Sequence, residues 1–145
     1  MNNIMPYFPE IRFADIDAMG HVNNATYLSY FEQARMHFFR HLVGGAWDWN
    51  VHGILVAKNE IEYLKPIHLN DKIRIEMVCE HIGTKSFTLS YNIMRVNTRL
   101  PDKHEGGDEL CSRGRSVLVS FNHQTKTTEA VPVEWRQKLK ALMAV

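Results

Sequence analysis

Residues 12–38 read Arg-Phe-Ala-Asp-Ile-Asp-Ala-Met-Gly-His-Val-Asn-Asn-Ala-Thr-Tyr-Leu-Ser-Tyr-Phe-Glu-Gln-Ala-Arg-Met-His-Phe. The stretch opens like a strand and then crowds Asp15, Asp17, Gly20, His21, Asn23 and Asn24 into ten positions. It continues as the best helix of the chain. Tyr27, Leu28, Phe31, Ala34, Phe38 and Leu42 recur at spacings of three and four, which puts them on one face. Ser29, Gln33, Arg40 and His41 fall largely elsewhere. Asn23 or Asn24 suits the N-cap, because an amide oxygen there accepts from a free backbone N–H. Gly44-Gly45 suits the helix end. A helix over 24–42 is a rod of roughly 28 Å, long enough to lie along a whole sheet. Polar groups crowded at the start of an apolar helix mark a place where a reacting carbonyl can be held.

Outward from this stretch the pattern changes to period two. Upstream, Tyr7 to Phe13 reads as a short strand, made irregular by Pro9. Downstream, after a loop with Trp47, Trp49 and Gly53, strands are expected over Ile54–Leu64 and from about Lys72 to Ile82. Gly83-Thr84-Lys85 is a turn, and Phe87, Leu89, Tyr91 and Ile93 alternate with polar residues in the next strand. The polar segment Asn97–Asp108 reads as a loop, Leu110–Asn122 as the last strand, and Val133–Met143 as a short helix opened by Pro132. Strands joined in this way are antiparallel. One long helix covers one face of the sheet, so a partner copy is the natural cover for what remains, and a homodimer follows.

Composition narrows the function. The 145 residues suit a single domain over 1–145. With 45% hydrophobic and 23% charged residues, the chain has the makeup of a globular rather than a disordered protein. A formal net charge of +1 gives no broad field for nucleic acid or acidic membrane. Cys79 and Cys111 are the only cysteines and lie far apart, so a reducing cytoplasm is expected rather than a disulfide scaffold. No stretch is apolar enough to span a bilayer, and residues 1–9 lack the features of a signal peptide. Gly-x-Ser-x-Gly, His-Glu-x-x-His, phosphate-binding and dinucleotide-binding motifs are absent, and no cofactor or metal is expected.

Asp15-Ile-Asp17-Ala-Met-Gly20-His21-Val-Asn23-Asn24, followed by Tyr27 and the amphipathic helix, resembles the hot-dog-fold acyl-CoA thioesterases of the 4-hydroxybenzoyl-CoA thioesterase type. The His-Val-Asn-Asn version also resembles the matching stretch of plant acyl-carrier-protein thioesterases. The resemblance implies an α+β hot-dog fold: a long central helix wrapped by a curved antiparallel sheet of about five strands, with a short C-terminal helix. It implies a homodimer or homotetramer with sites at the subunit interface. The family's catalytic carboxylate falls on Asp17, and its oxyanion-holding backbone N–H falls on Asn24. Gly20 and Tyr27 belong to the same motif. The turn containing Thr84, Lys85 and Ser86 resembles the one that contacts the CoA nucleotide in relatives.

Two readings stand beside each residue. Asp17 attacks the thioester carbon or deprotonates water; alternatively it only caps its loop or pairs with Arg12. Asp15 is read as structural, pairing with Arg35 or with loop N–H groups. His21 is catalytic or fixes the loop. Asn23 pins the loop or orients water. Glu60 and Glu62, or Asn59 on the opposite face, are rival groups on the following strand, or Glu60 and Glu62 are simply solvated strand positions. His37 and His41 lie one helical turn apart but lack a third metal ligand with supporting spacing. Lys85, Arg113 and Arg115, then Lys58 and Lys65, are candidate phosphate contacts. Phe8, Trp47, Trp49 and Tyr63 line an acyl tunnel or simply pack the core. The expected reaction is hydrolysis of an acyl-CoA thioester to acid and thiol, with acyl carrier protein as the alternative thioester carrier. The rivals are a 3-hydroxyacyl-thioester hydro-lyase and a non-catalytic acyl-thioester-binding module.

Overall fold

A computed structural model of the chain describes residues 6–44, 46–97 and 107–143. A 3₁₀ turn (Phe13–Asp15) leads to helix α1 (Thr26–Val43). Strands β1 (His52–Tyr63), β2 (Ile73–Ile82), β3 (Ser86–Arg95) and β4 (Glu109–Asn122) follow. A two-residue β5 (Thr127–Thr128) and helix α2 (Val133–Ala141) close the chain. The sheet order is β1-β4-β3-β2, with β5 on β4, and every pairing is antiparallel.

Alternation decides which side of the sheet meets the helix. Ile73, Ile75, Met77 and Cys79 of β2 are buried, as are Phe87, Leu89, Tyr91 and Ile93 of β3. They face Tyr27, Tyr30, Phe31, Ala34, Phe38 and Phe39, so the buried stripe of α1 is wider than the sequence spacing alone marks out. The polar side chains between them lie on the outer face. There Arg113 meets Glu62, and Arg115 meets Glu60 and Glu80. The candidate phosphate-binding arginines are thus already opposite carboxylates, and Lys58 lies 2.7 Å from Glu60.

Close approach of helix and sheet depends on Gly114. A Cβ built there would lie 2.3 Å from Cε2 of Phe31 and 3.3 Å from the Glu60 carbonyl oxygen. Phe31 has no room to move: it is 1% exposed and stacked on Tyr91 at 4.4 Å. Gly114→Ala is therefore expected to destabilise the fold by about 1–3 kcal/mol, the usual cost of overpacking. Chemical denaturation read by tryptophan fluorescence checks this; an unchanged midpoint would contradict the close packing.

Several local expectations are corrected. Tyr7–Phe13 is not a strand: only Tyr7 bridges to the sheet, through Ile75, and the chain tightens into the 3₁₀ turn. The helix starts at Thr26 rather than at residue 24, with Ala25 at the N-cap position and no side-chain cap. Asn23 uses its Oδ1 one step earlier, accepting the Ala25 N–H at 2.9 Å. Gly44 does end α1, at φ 80°. Most of the expected 97–108 loop lies outside the described residues. Of the two readings of Trp47 and Trp49, the contacts show packing: both rings lie against Trp135 of α2.

β1 differs from its neighbours. It has twelve residues, β4 on one side and no strand on the other among the described residues. Leu55 and Val56 are 44% and 45% exposed on it. A long unpaired apolar edge of this kind is a template for another strand.

Candidate active site

The segment between Asp15 and Thr26 is shaped by its own polar side chains. Asp15 is buried, and its carboxylate accepts from the Arg12 N–H at 2.9 Å, the Arg12 guanidinium at 3.1 Å and the Tyr30 hydroxyl at 2.8 Å. Burial acts to raise its pKa, but these donors outweigh burial and hold the carboxyl below its ordinary value. Arg12 is thus the partner of Asp15, not of Asp17. Arg35 turns away from Asp15 and donates to the Tyr91 hydroxyl at 3.1 Å. The Asp15 backbone carbonyl accepts the Asn23 N–H at 2.8 Å, closing the loop on itself.

Asp17 stands at the head of the tight turn within that loop. Its N–H donates to the His21 carbonyl at 2.8 Å, and its carbonyl accepts the Gly20 N–H at 3.0 Å. Gly20 takes φ 81°, a conformation that a side chain would strain. Oδ1 of Asp17 accepts the Met19 N–H at 2.9 Å and the His21 N–H at 3.4 Å. Oδ2 has no hydrogen-bond partner among the described residues, and the residue is half-buried. One oxygen fixes the carboxylate through the loop N–H groups, and the other is engaged by none of the described residues.

A groove of about 370 Å³ brings the loop residues together with the end of β1. Asp17, His21, Asn24, Tyr27, Tyr63 and Lys65 line it. The Asn24 N–H has no hydrogen-bond partner among the described residues. It lies just ahead of α1, so the positive end of the helix dipole adds to its pull on an anion. The Tyr27 ring is buried edge-on to Tyr63 at 4.9 Å, and burial pushes its phenol up to about 12. His21 packs edge-on to His68 at 5.0 Å, and Nδ1 of His68 lies 3.5 Å from Asp71. The loop is tied to this segment by the Val22 N–H, which donates to the Ile67 carbonyl at 2.8 Å.

The groove thus gathers Asp17, His21, Asn24 and Tyr27 of the expected site, while Gly20 and Asn23 belong to the same loop but do not line it. It does not gather Thr84, Lys85 and Ser86. Their turn lies beside Val119, level with Leu55 near the start of β1, whereas the groove lies at Tyr63 near its end. Eight residues of strand separate these levels, about 26 Å at 3.3 Å per residue. Within one chain the turn is held by α2: Arg136 donates to the Gly83 and Thr84 carbonyls. Glu60 and Glu62 point to the outer face. Asn59 is on the inner face and accepts from Ser116 at 2.6 Å, away from the groove. The His37 and His41 rings lie 4.3 Å apart, tilted at 46°, and no group of three metal-ligating side chains exists among the described residues. Sequence reading missed one contact: the Tyr63 hydroxyl donates to the Asn24 carbonyl at 2.8 Å, across 39 residues of chain. No spacing rule links two such positions. No described helix is long and apolar enough to cross a membrane.

The family model of the Thioesterase-like superfamily matches residues 11–141. The long-chain acyl-CoA thioesterase FadM of Escherichia coli is 28% identical over 136 residues, covering 92% of this chain and 96% of its own. A Thermus thermophilus thioesterase crystallised with coenzyme A and Zn shares 29% identity, with a TM-score of 0.76 over 94% of this chain and 92% of that one. The dynemicin thioesterase superposes with a TM-score of 0.84 over 97% of both chains at 17% identity, a likeness of fold. The chain belongs to the thioesterase-like superfamily, as a thioester hydrolase with the hot-dog fold.

Proposed function

We propose that the chain is an acyl-CoA thioesterase in which Asp17 supplies the carboxylate and Asn24 the oxyanion donor. The observation that carries this reading is the pairing, in one groove, of a carboxylate oxygen and a backbone N–H that both lack hydrogen-bond partners among the described residues. Thioester hydrolysis needs these two things: a group that attacks or activates water, and a donor for the charge that develops on the carbonyl oxygen. The reaction consumes one water and yields a carboxylic acid and a thiol. Asp17 serves it either by attacking the carbonyl carbon, giving a mixed anhydride that water then opens, or by taking a proton from water. Relatives named for acyl-CoA hydrolysis support CoA as the thiol.

The site is completed by a second copy. If β1 pairs antiparallel with β1 of a partner across a two-fold axis, the start of one strand meets the end of the other. The partner's turn containing Thr84, Lys85 and Ser86 then comes to the same end of the joined sheet as Asp17. This brings the two halves of the expected site together, which a single chain cannot do. The same pairing covers Leu55 and Val56.

The test is thiol release. Purified protein is expected to liberate free thiol from a panel of acyl-CoA and acyl-carrier-protein thioesters, read with a thiol-reactive dye. Hydration of an enoyl-CoA without thiol release would favour a hydro-lyase, and binding without turnover would favour a carrier module. Either result overturns the proposal.

A further inference from the structure

Resting on the reading of Asn24 as the oxyanion donor, we propose that Tyr63 is a positioning residue for catalysis. Its hydroxyl holds the backbone at Asn24 so that the free N–H stays aimed into the groove.

Three hydrogen bonds surround this N–H. The Asn23 carbonyl, in the same peptide unit, accepts the Thr26 N–H at 2.9 Å. The Ala25 N–H, in the next peptide unit, donates to Asn23 Oδ1 at 2.9 Å. The Asn24 carbonyl accepts from Tyr63 at 2.8 Å. With these groups engaged, the Asn24 N–H alone is left without a partner among the described residues. The first two bonds are local to the turn and form wherever it forms. The third is the one that ties the turn to the sheet. Without it, the Asn24–Ala25 peptide loses its tie to the sheet and is held by its own turn and by the Val22 and Asn23 N–H bonds to the Ile67 and Asp15 carbonyls upstream, and a helix entrance without a side-chain cap is prone to fray.

The tyrosine is itself well placed to act as a clamp. It is the last residue of β1, and its ring is fixed edge-on against buried Tyr27 at 4.9 Å. Its hydroxyl is a neutral donor, and partial burial raises its pKa further. Donors preorganised toward a developing charge contribute most when they need not reorient as the reaction proceeds. Tyr63 also lines the groove, so the positioning role of its hydroxyl is read in kcat, whereas a contact of the side chain with substrate would be read in KM.

The experiment is Tyr63→Phe, which keeps the ring against Tyr27 and removes only the hydroxyl. Full acyl-CoA kinetics are measured for wild type and variant, with thermal unfolding to confirm that both are folded. The expected result is a kcat lower by roughly 10-fold with KM within about 2-fold, less than the loss of a whole oxyanion donor. Tyr63→Ala, which also removes the ring, is expected to lose at least as much kcat. If Tyr63→Phe keeps wild-type kcat, or loses only affinity, Tyr63 merely lines the groove and the positioning role is overturned while the thioesterase reading stands. If the wild-type chain releases no thiol from any thioester, both fall together.

Discussion

Asp17→Asn is expected to cut thiol release from acyl-CoA by at least about 1,000-fold while leaving the protein folded. The separation of these effects follows from the two oxygens of Asp17. Oδ1 shapes the loop by accepting the Met19 and His21 N–H groups. An asparagine Oδ1 accepts the same bonds, so the turn and the groove persist. Oδ2 is the oxygen without a partner among the described residues, and the substitution replaces it with an NH₂ that can neither attack a carbonyl nor take a proton. Loss of a nucleophile or general base removes a contribution of order 100- to 10,000-fold. A 1,000-fold loss corresponds to about 4 kcal/mol of transition-state stabilisation. The measurement is kcat/KM by dye-coupled thiol release, alongside the unfolding midpoint. Turnover within about 10-fold of wild type would remove Asp17 from the chemistry.

Trp135→Ala is expected to do the reverse: destabilise the protein by about 3–5 kcal/mol and leave the rate of the folded enzyme largely unchanged. Trp135 is fully buried on α2, at the end of the sheet away from the groove. Its ring lies 5.1 Å from Phe39, 5.1 Å from Trp47, 5.5 Å from Trp49 and 6.5 Å from Phe87. These contacts fasten α2, the end of α1 and the segment before β1 together. Truncation leaves a cavity that three fixed aromatic walls and β3 cannot close. Because the Trp135 Nε1 has no partner among the described residues, little hydrogen bonding is lost and the cost is one of packing. For a domain of this size the melting temperature is expected to fall by about 10 °C or more. Differential scanning calorimetry reads it directly, and a drop under about 3 °C would show that the aromatic cluster does not latch the helix.

The reach of sequence reading differs from element to element. Long periodic runs were legible: β2, β3 and β4 and the body of α1 lie where alternation and helical spacing put them, because burial on one face repeats with the geometry of the element itself. Ends were less so. The strand expected at Tyr7–Phe13 gave way to a 3₁₀ turn because Asp15 captures the Arg12 N–H, a local bond that competes with sheet pairing. The helix start shifted by two residues because Asn23 caps the turn rather than the helix. The tryptophans near 47–49 looked equally suited to a tunnel or a core, and their partner, Trp135, is too distant in sequence for any pattern to reveal.

Residues 12–38 determined the family, the helix and the loop on which Asp17, His21 and Asn24 sit, because the chemistry of that loop is written in short-range spacing. Only the tertiary structure decided what stands opposite it. It set Tyr63 on the Asn24 carbonyl, turned Arg35 to Tyr91, and left the turn containing Lys85 at the far end of the sheet. It also left β1 at the edge of the sheet, with no second strand beside it among the described residues. Strand order and register arise from contacts between residues far apart in the chain, and no local periodicity records which strand will be neighbour to which.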